Sequence, residues 1–409
     1  MSKVPIRVLA SGTFAVGTDA FVVAGFLPDM AVALHTSEAA AGQSVTVFAA
    51  AYALSSPVLA TLTARLPRRR LLVGALVVLG VANLGSALAP SLPLLIAGRV
   101  LAAAGAAAYT PNAGAVASSL ADPRARARAL SVVVGGLTAA TALGVPLGNL
   151  AAQHLGWRTA LGLVAVLSLA VAAGVRAVLP ELPGHPRVPL RARLAVLRHP
   201  AVSRVLPLTV LGMGAAYTAY AYSVPVLQGA GVRAIGPMLF LYGAGAVAGN
   251  LLSGHATDRW SARHVLVAGY AVMAAAMGAL AWLSASGTVA PVLVGVLAAA
   301  WGASSWCQTP PQQHRLITAA PGEAALLVSL NSSAIYGGIG LGTALGGLTL
   351  ASGVAWTYGA ATLLAAAALA VAAVTSAGPA ARTGQTGDDD TASPLGGRRR
   401  RAVRDRAER

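Results

Sequence analysis

Asp19 and Arg99 are the residues whose chemistry packing explains least, because each interrupts a long apolar stretch. An ionised side chain inside a membrane-length helix is costly unless it meets a partner or faces a polar cavity, so it marks a functional position by default. Asp19 stands twelve residues beyond Arg7, roughly 18 Å of helical rise from one membrane face. Arg99 stands seven residues beyond Leu92, roughly 10 Å from the opposite face. In a hydrocarbon core of about 30 Å the two depths nearly coincide. A carboxylate and a guanidinium at one depth make either a static tie between helices or a site that takes up and releases a proton.

The stretches that carry them identify the solvent. Of 409 residues, 56% are hydrophobic and 10% charged, against about 25% charged in a soluble domain; the mean hydropathy is +0.70. The net charge of +17 does not point to nucleic acid, because the arginines lie in short connections and no basic face is interleaved with aromatics. Nucleotide hydrolysis is not expected, since no phosphate-binding Gly-rich loop ending in Lys-Ser/Thr occurs. Neither a metal nor a cofactor is expected: His185, His199, His255, His264 and His314 fall in loops or at span ends. The single cysteine, Cys307, lies in an apolar stretch and reads as an inert thiol. Met1 to Arg7 leads into an apolar run that continues past Phe26 with no cleavage pattern, so the first span is expected to be retained.

Hydropathy places spans near 7–28, 43–64, 71–90, 94–117, 129–152, 159–179, 205–227, 235–256, 265–284, 290–309, 324–349 and 354–376. Continuous apolar runs of about 20 residues require helices, whereas barrel strands alternate. Twelve spans put both termini on one side, and the connections on that side carry Arg65, Arg68 to Arg70, Arg124, Arg126, Arg128, Arg187, Arg191, Arg193, Arg198, Arg204, Arg259, Arg263 and Arg315. The other side carries Arg158 and Arg233, so the arginine-rich side is expected to be cytoplasmic, in a bacterial cytoplasmic membrane. A proline-broken connection separates spans six and seven. The expected organisation is a six-helix bundle over 1–180, a cytoplasmic linker over 181–204, a second six-helix bundle over 205–376, and a disordered cytoplasmic tail over 377–409.

The connection after the second span reads Ala60 to Arg70, and that after the eighth reads Gly254-His255-Ala256-Thr257-Asp258-Arg259-Trp260-Ser261-Ala262-Arg263. Arg65 aligns with Arg259 and Arg69 with Arg263, the mark of a repeated half. These segments resemble the Gly-x-x-x-Asp-Arg-x-Gly-Arg-Arg loop of the major facilitator superfamily. In that family the acid and the arginines act as a charge latch between access states. The first copy here has Ala60, Ala64 and Pro67 at the glycine, acid and second glycine, so the resemblance places the latch on Asp258 with Arg259 and Arg263, more than on Arg65 and Arg69. Arg99 with Gly98 and Gly105 is similar to the family's Arg-x-x-x-Gly-x-Gly motif in helix four, which is associated with proton coupling; Ala107 replaces the second glycine. Thr18-Asp19-Ala20-Phe21 with Leu27-Pro28 resembles the first helix of bacterial drug-efflux and sugar-efflux members. Gly144, Pro146 and Gly148 resemble the helix-five motif of antiporters, with Val145 inserted.

The resemblance implies an all-α membrane protein of twelve transmembrane helices in two pseudo-symmetric six-helix bundles. It also implies alternating-access antiport, not an enzyme: export of a small hydrophobic or amphiphilic compound such as a drug, with Asp19 carrying the proton and Arg99 as its partner. Bacterial chloramphenicol-resistance and arabinose-efflux-like permeases are the nearest pattern, and a sugar or metabolite exporter is the alternative. The partners expected are the small-molecule substrate, protons and the lipid bilayer, with the chain acting as a monomer. In that family helices one, four, seven and ten line the cavity, which singles out Tyr109, Asn112, Tyr217, Tyr220, Tyr222, Trp301, Trp306 and Gln308 as substrate-binding candidates, with Asn331 and Tyr336 as weaker ones.

Overall fold

The computed structural model describes residues 4–122, 125–184, 191, 195–288, 290–319 and 324–374. The expected tail over 377–409 and much of the expected linker, including Arg187 and Arg193, lie outside the described residues. What is described is helical, with no strand among the described residues. Among the described residues, ten helices are long and apolar enough to cross a membrane. The seventh and tenth of the twelve segments complete the set as helices interrupted near one end.

Prolines explain the interruptions. The first segment is α1 (Val4–Val22), then a 3-10 turn (Val23–Gly25), then α2 (Leu27–Ala33). Pro28 has no N–H to give to the carbonyl of Ala24, four residues back, so a continuous span over 7–28 is not formed. The second to fourth segments are α3 (Glu38–Leu62), α4 (Arg68–Ala87) and α5 (Leu92–Leu120). The Ser37 side chain caps α3 by accepting from Ala40 N at 3.1 Å. The fifth is α6 (Arg126–Ala139), a π-helical turn (Ala140–Gly144) and α7 (Val145–Leu155). There Pro146 frees the carbonyl of Ala142, and the widened turn absorbs the mismatch. The sixth is α8 (Trp157–Val178).

The second half repeats the plan. Its first segment is α9 (Pro200–Tyr220) broken before α10 (Ser223–Gly229), like α1 and α2. α11 (Ile235–Trp260) and α12 (Ala262–Ser286) follow. The tenth segment is α13 (Pro291–Trp306) and α14 (Thr309–Ala319), interrupted where Pro310 and Pro311 remove two donors. α15 (Ala324–Leu350) and α16 (Val354–Val374) close the set. Partners repeat as well: α4 packs on α5 and α8 as α12 packs on α13 and α16, α1 on α6 as α9 on α15, and α3 on α5 as α11 on α13.

Lipid gives helices no hydrophobic reason to associate, so close fit must do it, and small residues permit that fit. A methyl at Gly245 or Gly249 of α11 would overlap the carbonyl of Ala299 or Ala303 on α13, and one at Gly302 would overlap that of Tyr242. Gly136 abuts the Ala10 carbonyl, while Gly144 and Gly148 take Thr18 and Val22 of α1. The halves meet from mid-depth to the end remote from the termini. Ser223 Oγ donates to the Ala24 carbonyl that Pro28 frees, at 3.3 Å; Asn250 Nδ2 donates to Thr138 Oγ1 at 3.4 Å; and Gly243 lies on the backbone of Ala142 in the π-helical turn.

Gly249→Val should cost about 1–3 kcal/mol of stability through overpacking, read as a lower thermal unfolding temperature of the detergent-purified chain. Gly254→Ala, where a methyl meets nothing within 4 Å, should not lower that temperature, because a helix interior favours alanine over glycine. Equal effects of the two would show that the α11 and α13 contact does not depend on its glycines.

Candidate functional site

α1 and α5 bring Asp19 and Arg99 together. Arg99 Nη1 donates to Asp19 Oδ1 at 2.5 Å and Nη2 to the Asp19 backbone carbonyl at 3.0 Å. Both side chains are fully buried. The guanidinium carbon lies 4.4 Å from the centre of the Phe48 ring, a favourable site for a desolvated cation. Glycines beside the arginine set α5 on a third helix: Gly98 faces Ser86 and the Ala82 carbonyl, and Gly105 faces the Ala75 carbonyl, so α5 lies against α4 with no room for a side chain. Asp19 Oδ2 is buried and has no hydrogen-bond partner among the described residues. One carboxylate oxygen is therefore committed to arginine and the other has no donor.

Beside the pair lies a network of rings. Phe21 of α1 meets Tyr217, Tyr220 and Trp306 with centroids 5.7, 6.4 and 6.0 Å away. Tyr220 stacks on Tyr242 at 4.5 Å, and Tyr242 meets Trp301 edge-on at 4.9 Å. Across the other seam Tyr52 of α3 stacks on Tyr336 of α15 at 3.7 Å, and the Tyr336 ring lies 6.2 Å from Phe48, the ring that covers Arg99. A narrow gap between the halves is lined by Ala20, Phe21, Ala24 and Val45 on one side and Tyr217, Tyr220 and Ala221 on the other.

Of the residues expected to bind substrate, the structure groups Tyr217, Tyr220, Trp301 and Trp306. Trp301 also donates from Nε1 to the Ala216 carbonyl at 3.2 Å. The others are engaged in bonds between or within helices. Tyr109 donates its hydroxyl to the Leu9 carbonyl at 3.0 Å and lies on Gly12. Asn112 Oδ1 accepts from Arg68 Nη1 at 2.9 Å. Gln308 Oε1 accepts from Tyr270 at 3.0 Å. Tyr222 reaches the Thr343 carbonyl at 3.2 Å, and Asn331 Oδ1 accepts from Thr209 at 3.2 Å. Phe21, Tyr52 and Tyr242 were not among the expected residues. Phe21 stands in the Thr18 to Phe21 signature, but Tyr52 and Tyr242 lie on the second and eighth segments, and no local pattern sets them apart.

The latch residues are not joined to one another here. Asp258 and Arg259 are exposed at the end of α11, and Asp258 makes no ion pair among the described residues. Arg263 donates to the Ala373 carbonyl at 3.4 Å, tying α12 to α16. Arg65 is exposed, and Arg69 pairs with Glu181 just beyond α8, Nη2 to Oε1 at 2.5 Å. Ser261 has φ 121°, so this serine takes the left-handed backbone that glycine adopts freely, at the place of the second glycine in the loop motif. Gly144, Pro146 and Gly148 form the π-helical turn and its close contact with α1.

Removing one member of a buried pair leaves the other charge stranded, so Arg99→Ala should destabilise the chain by about 3–5 kcal/mol. Arg69→Ala breaks a solvent-screened pair and should cost at most about 1 kcal/mol. Chemical denaturation in detergent followed by circular dichroism measures both, and equal costs would mean that the buried pair carries no structural weight.

Comparison with known proteins adds the following. A sequence profile described as Major Facilitator Superfamily matches residues 9–325. The uncharacterized MFS-type transporter YbcL of Bacillus subtilis is 32% identical over 84% of this chain and 88% of its own length. The inner membrane transport protein YdhP of Escherichia coli strain K12 is 31% identical over 87% of this chain and 90% of its own. A chloramphenicol resistance protein of Streptomyces lividans is 33% identical over 93% of this chain and 99% of its own. A bacterial homologue of the human lysosomal transporter Spinster has the same fold, with a TM-score of 0.73 at 17% identity over 92% of this chain and 97% of that one.

Proposed function

The chain belongs to the major facilitator superfamily, and from that premise we propose that it is a proton-driven exporter of a small hydrophobic or amphiphilic compound, with Asp19 as the proton carrier. The observation that carries this reading is the divided carboxylate. Oδ1 is bound by Arg99 while Oδ2 is buried without a partner, so a proton can be received without first dismantling the site. Once Asp19 is neutral, its attraction to Arg99 weakens, but the bond from Nη2 to the Asp19 backbone carbonyl still anchors the guanidinium on α1. Protonation thereby changes the charge at mid-membrane without dissolving the contact between α1 and α5. The ring network meets the pair through Phe48, which covers Arg99 and lies 6.2 Å from Tyr336, and this supports a link between the proton site and the seam where a solute would enter.

The arginine-rich end is the cytoplasmic one on this reading, because cationic connections are retained on that side. The halves are closed at the other end, through Ser223 with Ala24 and Gly243 with Ala142. Asp258 and Arg259, exposed at the arginine-rich end, form the latch when that end closes in turn. The drug-type cargo is favoured by the relative named as a chloramphenicol resistance protein, which aligns over nearly its whole length.

In proteoliposomes, Asp19→Asn should lower gradient-driven substrate movement at least about tenfold, as expected when a relay group can no longer titrate, while gradient-free counterflow continues. Full gradient-driven transport by that variant would overturn the coupling assignment. Expression in a pump-deficient host should raise resistance to at least one hydrophobic antibiotic, whereas saturable counterflow of sugars alone would favour a sugar carrier.

A further inference from the structure

We infer that the first half carries a lipid site of its own: a groove along α1, α7 and α8 that takes the end of one acyl chain from the leaflet remote from the N-terminus. It shares no lining residue with the gap between the halves, and it does not depend on a coupling role for Asp19. The groove is built from three stripes of side chains. They run from Phe14 to Val22 on α1, from Gly144 to Ala151 along the π-helical turn and α7, and from Ala160 to Leu167 on α8. Residues three or four apart share a helix face, so each stripe is continuous and rises roughly 10–12 Å. The space they enclose is about 140 Å³. α1 and α7 climb away from the N-terminal side while α8 returns, so Val22, Ala151 and Ala160 lie at the shallow end and Phe14, Gly144 and Leu167 at the deep one.

The walls select the occupant. They are apolar except at Thr18, whose hydroxyl is buried against Gly144. Water stays in a cavity only where it finds about two to four polar partners, so water does not fill this one. Left empty, the groove forfeits dispersion contacts along its whole length. Leu147 and Leu163 on its rim are 58% and 51% exposed, so it opens sideways onto the hydrocarbon of the bilayer, and hydrocarbon at that depth means acyl chains. The chain's own segment beyond Ser376 is rich in arginine, aspartate and glycine and has no apolar run to offer instead. Volume alone would also suit a ring, since benzene fills an apolar cavity of about 150 Å³. A similar volume drawn out over two helical turns is long and narrow, which is the shape of a chain.

The test is photolabelling of the full chain in proteoliposomes of phosphatidylethanolamine and phosphatidylglycerol, doped with a phospholipid that carries a diazirine at the end of one acyl chain. Adducts are mapped by mass spectrometry. Phe14 and Leu167 are half-buried at the deep end of the groove, whereas Leu341 on α15 is 66% exposed. Leu341 stands nine residues before the end of α15, roughly 14 Å from the same face, and so at a comparable depth. Labelling governed by exposure alone would favour Leu341. The expected result is the reverse, with severalfold more label on Phe14 and Leu167. Ala151→Phe and the smaller Ala151→Leu fill the groove from its wall and should remove that excess, while Leu341 keeps its label and so shows that the variants are folded. More label on Leu341, or an excess that survives both substitutions, overturns the inference. Equal labelling of Phe14 by a lipid whose diazirine sits beside the headgroup overturns it too. A groove without adduct means another occupant and also sinks the proposal: saturable thermal stabilisation by benzene then identifies a dissolved ring, and a cross-linked dimer identifies a second copy of the chain.

Discussion

A carboxylate and a guanidinium at mid-membrane persist in ionised form only while each neutralises the other, and much of the first half is arranged around that requirement. Arg99 of α5 reaches Asp19 of α1, while Gly98 and Gly105 let α5 lie directly on α4. α5 and α1 are fastened again by the bond from Tyr109 to the Leu9 carbonyl, over Gly12. Phe48 covers the guanidinium from the α3 side. The pair is thus held by three helices, and that enclosure makes it costly to break.

The dry interior imposes a second requirement, that backbone carbonyls released by proline find new donors or new geometry. The responses here fall on the seam between the halves. Pro28 frees Ala24, and Ser223 of the other half takes it. Pro146 frees Ala142 within a π-helical turn, and that turn is where Gly243 of α11 lies against the first half. Points of local weakness in the helices are also points of contact between the bundles, so movement of one half against the other can be absorbed where the helices are already irregular.

The ring network connects these two features. Phe21 lies two residues beyond Asp19 on the same helix and touches Tyr217, Tyr220 and Trp306 of the second half. Tyr336 of α15 stacks on Tyr52 of α3 and lies 6.2 Å from Phe48, the ring that covers Arg99. Phe21, on the helix that carries Asp19, therefore also lines the gap between the halves.

Membrane residence, the number of spans and the repeated halves were legible in the sequence because they depend on composition and on patterns within single segments. The common depth of Asp19 and Arg99 was legible too, since helical rise converts sequence distance into depth. Tertiary structure alone decided which face each helix turns and which polar atoms remain unspent. Tyr109, Asn112 and Gln308 had the composition of a binding site, yet their polar atoms are engaged by Leu9, Arg68 and Tyr270. Tyr52 and Tyr242 stand at the centre although their segments gave no reason to choose them. An apolar span looks alike on all sides when lipid and protein interior are equally apolar, so rotation about the helix axis leaves little trace in hydropathy and is settled by the fit of small residues against neighbouring backbones.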